Sequence, residues 1–148
     1  MWKILTIVKL KQICCLIGGV ILCIYILVPL FSAFLLGLAL SVPKDSFTVL
    51  LFADSMLVAL AFGISGFLMA LIISYGWVNR EIEATVLGSL IAAVFYVAQS
   101  RFTFGTSQLY EAYRLLEASV HAICLVGFAI IGAWLIAKRR HLKLKKGT

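Results

Sequence analysis

Acidic residues, prolines and extended polar stretches are all scarce in this sequence, and each shortage removes a class of protein. Six Asp and Glu occur among 148 residues, and no long apolar segment carries two of them. A pair of carboxylates for general acid–base work is therefore missing from every such segment. The GxSxG elbow, the GxxxxGK[ST] phosphate loop and the HExxH helix are absent as well. No enzymatic activity and no cofactor are expected. The only prolines are Pro29 and Pro43, and no Pro-, Gly- or Ser-rich run offers a linker at which to divide the chain. Residues 1–148 therefore read as a single membrane domain.

Cysteine is too sparse and too poorly spaced to build a framework. Cys14, Cys15, Cys23 and Cys124 lie in or beside apolar runs, and none forms CxxC. A vicinal pair seldom suits a structural disulfide, and a buried thiol behaves as a small hydrophobe. Paired cysteines in a first span also occur in small mercuric-ion transporters. Here no second pair stands in a loop to receive the ion.

What the chain has in abundance is apolar length. Hydrophobic residues make up 64% and charged residues 13%, with a mean hydropathy of +1.12. An average soluble domain is ~45–50% apolar and ~25% charged. Residues 13–40 contain no formal charge, and residues 47–75 contain one, Asp54. The first run is about twice the ~7–15 residues of a signal-peptide core, so it reads as an uncleaved span. Pro29 within it predicts a kink. Residues 84–100 and 119–137 make two further spans, the third at the short end of the permitted range. The fold class is all-α, a polytopic membrane protein with four transmembrane helices.

Small residues recur on the second span as Ser55, Ala59 and Gly63 and again as Gly66, Ala70 and Ser74. Such stripes let helix backbones approach closely in lipid. The connections are short, apart from residues 101–118. That loop reads as a turn broken at Gly105, a cap at Thr106 or Ser107, and a helix running on into the fourth span.

Net charge is +7, yet its placement argues for topology and against nucleic acid. Ten of the thirteen Lys and Arg fall in the N-terminal segment, the 76–83 connection and the tail 138–148. By the positive-inside rule both termini are cytoplasmic and the 101–118 loop is external. A bacterial inner membrane is the expected location. The tail residues Lys138, Arg139, Arg140, Lys143, Lys145 and Lys146 suit anionic headgroups, each contributing ~1 kcal/mol near a charged leaflet. Lipid binding and topology fixing are the first reading of this tail, and docking of an acidic cytosolic partner is the second.

Three other residues invite a function. An acid at a span centre costs ~2.5–3.5 kcal/mol on insertion scales, so Asp54 is either an interfacial cap or a functional intramembrane acid near His121 or Arg101. His121 and Cys124, three residues apart, share a helix face. With Asp54 they form a conceivable ligand set or pH-sensitive pair, but structural zinc wants four ligands, and no metal is expected. Small four-span proteins of this size include oligomeric ion channels, immunity and exclusion proteins, and membrane subunits of phage-defence pairs. The first expectation is a non-catalytic, self-associating membrane subunit working with a cytosolic or membrane partner in immunity, exclusion or antiviral defence. The alternative is a small oligomeric channel or transporter using Asp54 and His121.

Overall fold

The structure, a computed structural model, describes residues 2–40, 47–102 and 108–146, with side chains described over 9–35, 37, 56–99 and 114–142. All of the regular structure among these residues is helical. Helices α1 (Trp2–Leu22) and α2 (Val28–Leu40) are joined by a π-helical turn, Cys23–Leu27, and are followed by α3 (Phe47–Gly76), α4 (Glu81–Phe102) and α5 (Gln108–Lys146). Four stretches are long and apolar enough to cross a bilayer: Lys9–Leu35, Met56–Gly76, Glu81–Gln99 and Arg114–Leu142. Met56, Val94 and Ile123 are 72%, 69% and 71% exposed. Apolar side chains presented so openly suit a lipid solvent, which satisfies them as well as a protein core does.

The π turn is the local answer to Pro29. Proline lacks an N–H, and its ring clashes with the carbonyl four residues back in an α-helix. Here the helix widens just before it, and the Val28 N–H bonds to Cys23 O, five residues back. One irregular turn absorbs the proline while the helix continues on both sides.

The helices form a rhomb. Antiparallel α3 and α4 are its short diagonal, with α1 on one side and α5 on the other. Among the described residues α1 and α5 do not touch. Beyond the π turn, α2 packs on α3 and leaves α4. Phe62, Met69 and Ile73 from α3 and Leu125 from α5 are the largest fully buried apolar side chains. The α3–α5 packing includes a close backbone approach. A Cβ placed on Gly66 would lie 2.3 Å from the Leu125 carbonyl oxygen, so only glycine allows this backbone approach. Gly63, Gly66 and Ala70 of the small-residue series thus pack against α5 of the same chain.

Helix α3 passes into α4 through four residues, Trp77–Arg80, a tighter connection than residues 76–83. The Arg80 N–H reaches Trp77 O at 3.4 Å, and Asn79 takes φ 71°. Asparagine tolerates the left-handed region better than most residues, which suits this third position of the turn. The Trp77 indole donates to Gln12 O at 3.0 Å, pinning α1 against the turn. Glu81 and Glu83 belong to the first turn of α4, where the helix dipole favours acids. The third span therefore begins at Glu81, before residue 84. Helix α5 runs 39 residues, about 58 Å, joining the approach to the fourth span, the span and the basic tail in one rod. The turn at 41–46 and the loop tip at 103–107, with the expected caps Thr106 and Ser107, lie outside the described residues.

Candidate functional site

The polar chemistry of the bundle collects along one line of α4. Glu81, Thr85, Ser89 and Tyr96 recur at helical spacing, and Glu81, Thr85 and Ser89 are buried. Glu81 and Tyr96 stand about 22 Å apart along the axis. Each meets a side chain of α5 at its own level.

At the turn end, Arg140 forms an ion pair with Glu81 through Nη1 and Oε1, and its Nη2 donates to Ser74 O at 3.1 Å. The carboxylate also faces the backbone N–H groups of Glu81 and Asn79. The Glu81 side chain is 7% exposed and that of Arg140 37%. One guanidinium thus joins the end of α3, the start of α4 and the far part of α5. The planar fork of arginine makes a bridge of this kind, with two donors aimed at two acceptors. Ser74 is buried, as is Thr85 one helical turn along α4 from Glu81.

At the opposite end, His121 is 3% exposed. Its ring stacks on Phe62 at 5.0 Å between centroids and 11° between planes. Tyr96 meets Phe62 edge-on at 4.5 Å, and its hydroxyl is 3.5 Å from His121 Nδ1. That distance is at the outer limit for a hydrogen bond. The three rings come from α3, α4 and α5, so the histidine is packed inside its own bundle. Further along α5 on this side, Arg114 and Glu117 stand one turn apart.

Of the residues singled out by sequence, His121 meets Tyr96, which sequence alone did not mark, while Cys124 is only half-buried one turn from His121. The Asp54 side chain lies outside the described residues, as do those of Arg101, Lys143, Lys145 and Lys146. Among the described residues no group of three or more His, Cys, Asp or Glu is placed to hold a metal ion. Within the basic tail the arginines part company. Lys138 and Arg139 are exposed, whereas Arg140 turns inward to Glu81. Nothing local in the sequence marks this pair, because its members stand 59 residues apart. The available signal was topological: an even number of spans brings the start of α4 and the exit of α5 to one end.

That end carries a one-sided charge. Among the described residues, Lys9, Lys11, Arg80, Lys138 and Arg139 are exposed there against the single exposed acid Glu83. Lys11 Nζ lies 4.3 Å from the centre of the Tyr75 ring, and Lys138 Nζ lies 4.8 Å from that of Trp134. Lysines on aromatic faces at a span boundary match a bilayer interface, where the ring is half in lipid and the ammonium in water. Comparison of the chain with protein-family models, with curated proteins and with solved structures gives no match.

Proposed function

We propose that this protein is a non-catalytic multi-pass membrane component whose basic end faces the cytoplasm and docks an acidic partner protein. The observation that carries the reading is the charge distribution at that end. Glu81 is neutralised internally by Arg140, so among the described residues five exposed cations stand against one exposed acid. Elsewhere among the described residues Ser65 and Ser89 donate to carbonyls of their own helices, and many large apolar side chains of the spans are exposed. Among the described residues the surface offers partners lipid-facing helices and a cationic platform. Electrostatic docking at a membrane surface needs little more than this complementarity. The reading includes membrane components of immunity, exclusion or antiviral-defence pairs, an analogy resting on size and span number. The channel alternative draws no support from His121, which is enclosed by Phe62 and Tyr96 within one bundle.

The test is a double charge reversal, Lys138→Glu with Arg139→Glu, which leaves Arg140 and its ion pair in place. Removing the whole tail would break that pair and confound folding with docking. Tagged wild-type and reversed proteins are purified gently from native membranes, and complex mass and composition are determined. A stoichiometric partner retained by the wild type and lost on reversal is the expected result. A homo-oligomer or monomer alone in both preparations would remove the docking role.

A further inference from the structure

Two buried hydroxyls differ from the rest. Ser65 and Ser89 donate to carbonyls of their own helices, Ala61 O at 2.8 Å and Val86 O at 3.0 Å. Ser74 and Thr85 are 1% and 0% exposed, yet neither Ser74 Oγ nor Thr85 Oγ1 has a hydrogen-bond partner among the described residues. Buried hydroxyls are rarely left unpaired in native interiors, because each has given up its hydrogen bonds to water.

Their placement says what completes them. The Arg140 guanidinium holds the Ser74 carbonyl with one nitrogen and the Glu81 carboxylate with another. Thr85 is one helical turn along α4 from Glu81 on the same face, and Ser74 is the residue whose carbonyl Arg140 holds, so both residues neighbour the ion pair. A carboxylate accepts about four hydrogen bonds, a serine or threonine hydroxyl donates one, and a water donates two and accepts two. The geometry points to an internal water site where α3, α4 and α5 meet, in which water accepts from Ser74 and Thr85 and donates to Glu81. Two to four polar partners are what a buried water ordinarily has, and this site supplies three. The occupant makes Glu81–Arg140 a hydrated pair. This inference stands independently of the docking role.

The test uses the full-length chain reconstituted in lipid nanodiscs, comparing thermal midpoints of wild type, Ser74→Ala, Thr85→Val and the double variant. With a shared water, each single change strands its remaining partner. Each midpoint then falls by about 2–4 °C, and the double variant falls no further than the worse single one. If the hydroxyls are dry, Thr85→Val removes an unpaired group in an isosteric side chain. The midpoint then rises, the two effects add, and the water site is overturned. A midpoint that rises in sodium chloride over choline chloride at equal ionic strength assigns the oxygens to a cation and also overturns it. Should a variant not assemble, solid-state NMR of the reconstituted wild type decides the matter. Magnetisation transfer from water to the Ser74 and Thr85 signals is expected, and its absence there overturns the site.

Discussion

Arg140 shows how much one side chain does in a bundle with so few polar groups. It satisfies the buried Glu81 carboxylate and the last turn of α3 at once. Arg140→Ala leaves that carboxylate without its counter-charge at a site 7% exposed. The partial exposure of the arginine lets water compensate in part, so the expected loss is about 2 kcal/mol, read as a lowered unfolding midpoint in nanodiscs. Arg140→Lys keeps the charge but not the fork, and an intermediate midpoint is expected. Equal stability of all three proteins would mean that the pair contributes nothing to holding α5 in place. The His121 cluster is a different case, since stacking and ring packing carry more there than a 3.5 Å polar contact.

At the scale of elements, the α3–α5 crossing decides the architecture. Lipid gives helices no hydrophobic reason to associate, so close packing and polar contacts must suffice. Gly66 is where that packing is least adjustable, because the atom opposite it is backbone and cannot rotate away. Gly66→Ala is expected to separate the two helices or shift their register, at a cost of about 1–3 kcal/mol or more. The loss is measured as reduced folded yield and a lower midpoint. By contrast, Gly18 has open space around the position of an added Cβ, so Gly18→Ala serves as the control and is expected to be neutral or mildly stabilising. Similar behaviour of the two alanine variants would contradict the close approach. The first span has another lesson, for the Pro29 expected to kink it is accommodated by a widened turn just upstream.

For the molecule as a whole, the salient property is polarity of charge along the bundle axis. Contacts of Trp77 with Gln12 and of Arg140 with Glu81 bring the early part of α1, the α3–α4 turn and the late part of α5 to one end. Positive residues concentrated there predict that this end remains on the cytoplasmic side. The check is a single cysteine at position 139 in a cysteine-free background, probed with a membrane-impermeant thiol reagent. Labelling is expected in inverted vesicles and not in intact spheroplasts. The reverse pattern would invert the topology and remove the basis for a cytosolic partner.

Apolarity and length are local properties, and they alone determined the solvent, the helical class and the number of spans. A 28-residue run without a charge needs no knowledge of its neighbours to be assigned to a bilayer. The sign of the charge at each connection likewise carried the topology expectation. The partners of the buried polar residues were another matter. Glu81 and Arg140 are 59 residues apart, and their meeting depends on which way each helix is turned about its axis. In a soluble helix the hydrophobic face reveals that rotation, but helices apolar on every side carry no such mark. Only packing, through contacts such as Gly66 against Leu125, set the rotation and brought Glu81 to Arg140 and Tyr96 to His121.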